Sequence, residues 1–208
     1  SNGKSIEYHY LDSTDLLSCQ LIYEGGHIKI RKFFFYEGSV KIQEVIDDGS
    51  ERDFLNLTNV SIRQIKTFVP ITVGAFIGFP KEVREECLEI QTGNVHLQKK
   101  TYFHYNTRGL IEKSEHFDSQ GIYRYSLKYA YDLKGRLIKK KNALGREKHL
   151  TYDANDNIVY EKTADDPFSI ETTFDYSNRP ISHTMIARNG TSLSTSSHYN
   201  SLHQKTEE

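Results

Sequence analysis

Tryptophan is absent from the 208 residues, methionine occurs once, cysteine twice and proline four times. So few cysteines exclude a disulfide framework. Cys19 and Cys87 also lack metal-ligand spacing, so both read as free, small hydrophobes. Charge of one sign is missing too: 27 Lys and Arg face 28 Asp and Glu, a formal net charge of −1, which gives no global attraction for nucleic acid or anionic membranes. The most apolar stretch, Phe68 to Phe79, is interrupted by Pro70 and Gly74. It falls far short of the roughly 20 apolar residues that span a bilayer, so no membrane span is expected. Ser1-Asn2-Gly3 opens the chain without the basic, apolar and small-residue series of a signal peptide, and reads as a leftover tag.

What is abundant is Tyr (14) and Phe (11), and aromatic enrichment favours pleated, half-buried surfaces. Internal repetition organises the second half of the chain. The segment Tyr131-Asp132-Leu133-Lys134-Gly135-Arg136-Leu137 is followed by Tyr152-Asp153-Ala154-Asn155-Asp156-Asn157-Ile158, and then by Phe174-Asp175-Tyr176-Ser177-Asn178-Arg179-Pro180. Weaker copies begin at Tyr105 (with Gly109), at Phe117-Asp118 (with Gly121) and at Tyr199-Asn200. The shared pattern is an aromatic, Asp or Asn, two spacers, then Gly, Asn, Asp or His.

Each element of the pattern has a physical job in a hairpin. The aromatic closes an alternating strand, as in Tyr125, Leu127, Tyr129 and Tyr131. Asp or Asn bonds forward to the backbone to start a turn, and Gly or Asn tolerates the positive φ that closes it. Leu137 to Lys141 and Ile158 to Thr163 fit the second strand, with Lys139, Lys140 and Lys141 on a solvated surface rather than a nucleic-acid site. In the first half, Tyr23-Glu24-Gly25-Gly26 and Tyr36-Glu37-Gly38-Ser39 predict two more turns, followed by strands over Ile28 to Phe35 and Val40 to Ile46. Asp47-Asp48-Gly49-Ser50 is a further turn signal, residues 51–61 read as an irregular link, and a strand resumes from Ile62 to Val69. Pro80 to Ile90 stays open: Val83, Cys87 and Ile90 recur at helical spacing, but Val83 and Cys87 also fit strand alternation.

These residues resemble the YD repeats of Rhs proteins and teneurins, whose signature is close to Tyr-Asp, two residues, Gly-Arg-Leu. The match at Tyr131 to Leu137 is nearly complete, Asn142 to Arg146 with Gly145 resembles the second glycine turn, and Asn157 stands where glycine is usual. The resemblance implies an all-β fold of antiparallel strand-turn-strand repeats forming a curved or rolled sheet, a fragment of a YD-repeat shell. Residues 1–95 are expected to form a divergent β-repeat region and residues 96–208 the YD-repeat region, ending inside a repeat. By resemblance the parent protein is exported or attached to the cell surface, and its shell encloses or presents a C-terminal toxin or effector domain. Neighbouring repeats and that domain are the expected partners, with self-association through open sheet edges.

No cofactor, metal or catalytic constellation emerges from the residues. Asp153, Asn155 and Asn157 imitate the start of a calcium loop, but Ile158 and Ala164 occupy its glycine and glutamate places, so a hairpin turn is expected. Glu85, Glu86 and Glu89 around Cys87 disfavour a thiolate nucleophile. The expected role is a non-catalytic structural segment. The alternative is a carbohydrate- or protein-binding β module, since exposed tyrosines on a sheet stack on sugars or peptide groups.

Overall fold

The computed structural model describes residues 3–202 and 204–207; Ser1, Asn2 and His203, which belong to the segments read above, lie outside them. The strands are β1 (Lys4–Tyr10), β2 (Leu17–Glu24), β3 (His27–Glu37), β4 (Val40–Asp47), β5 (Arg63–Pro70), β6 (Pro80–Leu88), β7 (Val95–Tyr105), β8 (Ile111–Phe117) and β9 (Tyr123–Tyr131). They continue with β10 (Leu137–Lys141), β11 (Glu147–Tyr152), β12 (Ile158–Thr163), β13 (Phe168–Phe174), β14 (Pro180–Ala187), β15 (Ser192–Ser196), β16 (His198–Tyr199) and β17 (Lys205–Glu207). No helix occurs among the described residues. The fold is therefore all-β, with β1 to β15 hydrogen-bonded in the order of the chain and β16 paired with β17.

The strands lie close to where alternation and turn residues place them. β10 and β12 coincide with the expected runs, β3 begins one residue earlier and ends two later, β4 ends one residue later, and β5 is shifted one residue towards the C-terminus. The open segment resolves as a strand: β6 pairs with β5 and β7, and Pro80 occupies its first position, where no ladder donor is needed. The helical spacing of Val83, Cys87 and Ile90 is thus coincidental, because pairing to two neighbours outweighs a short ambiguous period. Both cysteines are free and half-buried.

The chain divides into two compact units, Ser1–Gly109 with Ser114–Tyr125 and Leu110–Lys113 with Ser126–Glu208. In the first, Leu21, Phe33, Val45 and Val83 are buried on their strands, and Val60 is buried in the segment that links β4 to β5. That segment lies against β3: the Phe54 ring meets Phe33 and Phe35 edge-on at 5.0 and 5.1 Å.

Beneath it sits a charged trio that hydropathy patterning does not reveal. Arg31, Asp47 and Arg63 are register partners on three adjacent strands, and all three are buried. Asp47 accepts from Arg31 Nε at 2.6 Å and from Arg63 Nε at 2.8 Å, while Arg31 also donates to the carbonyls of Glu51, Asp53 and Asn56, and Arg63 to that of Phe54. Asp47-Asp48-Gly49-Ser50 is accordingly more than an exposed turn. Gly49 donates to Asp47 at 3.0 Å, and a Cβ there would lie 2.3 Å from the Arg31 guanidinium, so only glycine fits. The second unit buries less, and its side chains are mostly half-buried on both faces.

Candidate functional site

Because the strands alternate in direction, the turns fall in two rows at opposite strand ends. Turns 132–135, 153–156 and 175–178 close β9–β10, β11–β12 and β13–β14 at one end, while turn 142–145 closes β10–β11 at the other. In the first unit, turns 106–109 and 118–121 are likewise at opposite ends of β8. The repeat motif therefore samples two environments, with Phe117, Asp118 and Gly121 in one row and Tyr105 and Gly109 in the other.

Turn construction is the same throughout. The Asp132 carboxylate accepts from Arg136 N at 3.0 Å and Arg136 Nε at 2.7 Å; Asp153 accepts from Asn155 N, Asn157 N and Asn157 Nδ2, each at 2.9 Å. Asp175 serves Ser177, Arg179 N and Arg179 Nε in the same way, Asp118 serves Gln120, Ile122 and Arg124, and Asn142 serves Leu144 and Arg146. Hydrogen bonding to the ionised form favours it. The side-chain bond from Asn157 holds Asp153 below the usual carboxylate range, and that from Arg179 does the same for Asp175. For Asp118 the backbone bond from Ile122 leads; for Asp132, desolvation pushes upward but the bonds from Arg136 prevail. A carboxylate committed to its own turn is unsuited to acid–base work on a substrate.

The closing residue is left-handed in each turn. Gly135 has φ of 86° and Gly145 of 80°, as the motif demands. In the copy that begins at Tyr152 the left-handed residue is Asp156 at 68°, not Asn157, which corrects the alignment by one residue. Asn157 instead stands where Arg136 and Arg179 stand in their turns. In the copy that begins at Phe174, Asn178, at 58°, closes the turn, as its short polar side chain permits.

That shared position links one turn to the next. Arg136 Nη1 donates to the Asp153 carbonyl at 3.0 Å and to Asp156 Oδ1 at 2.6 Å, and its guanidinium lies 4.6 Å from the centre of the Tyr152 ring. Asn157 Nδ2 donates to Asn178 Oδ1 at 2.9 Å, and Arg179 lies 4.7 Å over Tyr199. Leu137, after Arg136, begins β10 and opens the strand.

The aromatic position supplies a second link. The hydroxyls of Tyr131, Tyr152 and Tyr199 donate to the carbonyls of Ile111, Leu137 and Pro180, each the first residue of an earlier strand, at 2.9, 2.7 and 3.0 Å. In the first unit Tyr105 reaches Pro80 at 2.7 Å and Tyr36 reaches Leu17 at 3.0 Å, again at strand starts. Phe174 lacks the hydroxyl and leaves its copy without this bond. The sequence reading gives the aromatic only a strand-ending role, and nothing in it points to a carbonyl at an earlier strand start as the partner. The lysine run is a strand surface: Lys139 and Lys141 pair with Glu147 at 2.6 and 3.5 Å, and Lys140 lies over Tyr129.

Among the described residues no three His, Cys, Asp or Glu side chains gather as metal ligands. Nor, among the described residues, is any helix long and apolar enough to cross a membrane. The site is thus a ladder of turns whose polar groups bind other parts of the chain, a structural arrangement.

Comparison with known proteins agrees. No curated protein matches the chain. Among solved structures it is similar to the crystal structure of TcdB2-TccC3-TEV, at 12% identity and a TM-score of 0.54, over 96% of this chain and 11% of that one. It is also similar to a Photorhabdus luminescens Tc holotoxin pore, at 10% identity and a TM-score of 0.48, over 98% of this chain and 12% of that one. The chain therefore spans only about a tenth of the length of those chains, and at such identity the first likeness shows the fold alone. The teneurin YD-shell family model matches residues 78–187, which include all the turns of the ladder from 106 to 178. With that match covering more than half of its length, this chain belongs to the teneurin YD-shell family.

Proposed function

We propose that the chain is a non-catalytic length of shell wall whose parent protein encloses or presents a C-terminal toxin or effector domain and is exported or held at a cell surface. The observation that supports this reading is where the motif's polar groups go. Tyr131, Tyr152, Asp132, Asp153, Asp175 and Arg136 are all engaged with backbone or with a neighbouring turn. Groups engaged this way maintain a surface and its repeat spacing, as a wall requires. The guanidinium groups of Arg136 and Arg179 over the rings of Tyr152 and Tyr199 weigh against a sugar-binding platform built on those two tyrosines. The enclosed cargo and the export rest on the Rhs resemblance.

Limited proteolysis of the parent protein tests the proposal. A downstream domain that survives as an intact product, and becomes cleavable only after the shell is unfolded, is the expected result; its rapid loss from the native protein refutes enclosure. A glycan array probed with the chain separates the binding-module alternative, which saturable binding would favour.

A further inference from the structure

The joint between β12 and β13 lacks what its neighbours in the ladder have. Arg136 lies over Tyr152 and Arg179 over Tyr199, and each of those tyrosines donates to the first carbonyl of an earlier strand. In the copy between them both members change together: Asn157 carries no guanidinium and Phe174 no hydroxyl. Turn 153–156 is tied to turn 175–178 by an amide bond, Asn157 Nδ2 to Asn178 Oδ1.

Backbone pairing thins at the same place. β11 and β12 are register partners from Lys148–Thr163 to Tyr152–Ile158, and β13 and β14 from Phe168–Ala187 to Phe174–Pro180. Across β12 and β13, register among the described residues is confined to two adjacent levels, Tyr160–Glu171 and Glu161–Ile170. At one end of this seam Lys162 Nζ donates to the carbonyls of Asp166 and Phe168, both at 3.0 Å, where a ladder would use main-chain donors, and Pro167 has no N–H to offer. At the other end the strands part around a groove of about 370 Å³ lined by Ile158, Tyr160, Ile170 and Phe174. A sheet opens where its cross-strand bonds are fewest, and here the strands on either side are held by longer ladders. We infer that the β12–β13 seam is a hinge line, along which β13 to β15 turn as one body against β10 to β12. The hinge belongs to the wall itself and goes beyond any reading of what the wall encloses.

Native-state amide exchange, read residue by residue, tests it. Amides bonded across β12–β13 should exchange about tenfold or more faster than those bonded across β11–β12 or β13–β14, the amount that two missing links contribute. Asn157→Arg with Phe174→Tyr restores the pair found at the flanking joints. It should slow the seam amides by about fivefold, one hydrogen bond's worth, and leave the β11–β12 amides unchanged. The reverse change, Arg136→Asn with Tyr152→Phe, should open a second fast line between β10 and β11, and circular dichroism shows that each variant is folded. Spin labels distinguish a hinge from loose bonding alone. In a background of Cys19→Ser with Cys87→Ser, nitroxides on Thr151→Cys and Glu171→Cys sit at one level, two strands apart across the seam. Their distances should spread more widely than those of Ala130→Cys with His149→Cys, two strands apart on one side of it. Equal exchange at the seam and its flanks, seam amides indifferent to the restoring variant, no new fast line in the reverse one, or equal distance spreads would each overturn the proposal.

Discussion

Replacing Asp47 by Asn keeps the shape of the side chain but removes the one negative charge between two buried guanidinium groups. The side-chain exposures of Arg31, Asp47 and Arg63 are 0%, 0% and 6%, so solvent cannot take over the role of the carboxylate. An amide accepts at only one of the two oxygen positions now serving Arg31 Nε and Arg63 Nε, and its NH₂ group would face a guanidinium donor. Breaking a buried pair by removing one partner costs about 3–5 kcal/mol, far more than an exposed pair contributes. For a chain of this size each kcal/mol lowers the melting temperature by roughly 2–4 °C, so a fall of about 6–20 °C is expected for the unit that holds the trio. Thermal and urea unfolding followed by circular dichroism measure it, with a lower midpoint and an unchanged slope expected. A variant melting within about 2 °C of the unaltered chain would refute the reasoning, since that is less than 1 kcal/mol.

Tyr152→Phe deletes the hydroxyl bond to the Leu137 carbonyl and should cost about 1 kcal/mol by urea titration, while adding a hydroxyl through Phe174→Tyr should stabilise or leave stability unchanged. Gly135→Val, at φ of 86°, should destabilise by roughly 1 kcal/mol or more; an equally stable variant would show that the turn tolerates a side chain. The depressed carboxylates of Asp118, Asp153 and Asp175 contribute stability that is present above the unfolded-state pKa and lost as pH falls through the lower folded values. Melting temperature should therefore hold from neutral pH into the ordinary carboxylate range and drop below it, less steeply in Asp153→Asn. The β1 strand is paired on one side only, with Ile6, Tyr8 and Tyr10 exposed, so light scattering should show concentration-dependent association that Tyr8→Lys reduces.

The hairpin order was legible because two signals agree along the chain, strand alternation and turn residues at fixed offsets after an aromatic. Tyr131 to Leu137 carried enough of both to place the end of β9, its turn and β10 to the residue, while β9 begins two residues before the expected Tyr125. The Pro80 to Leu88 strand was not legible, since a short apolar pattern fits two periods and only pairing with β5 and β7 separates them. Arg31, Asp47 and Arg63 escaped notice because isolated charges read as solvent-facing. Their even 16-residue separation becomes informative only once the register is known. The contribution of Asn157 was misplaced by one residue, because Asp and Asn both tolerate left-handed backbone and the sequence alone does not say which of two adjacent polar residues takes it. The turn-to-turn bonds were out of reach for a different reason. They depend on the lateral distance between hairpins, which is a property of the sheet and not of any one segment.

The tyrosine bonds at strand starts all end on main-chain oxygen. A carbonyl is present whatever residue occupies the position, as Ile111, Leu137 and Pro180 illustrate. Neighbouring copies therefore need not change in concert: a unit can drift, be duplicated or be lost, and the tyrosine of the unit that follows still finds an acceptor. A wall joined in this way can vary in length during evolution without any joint being redesigned.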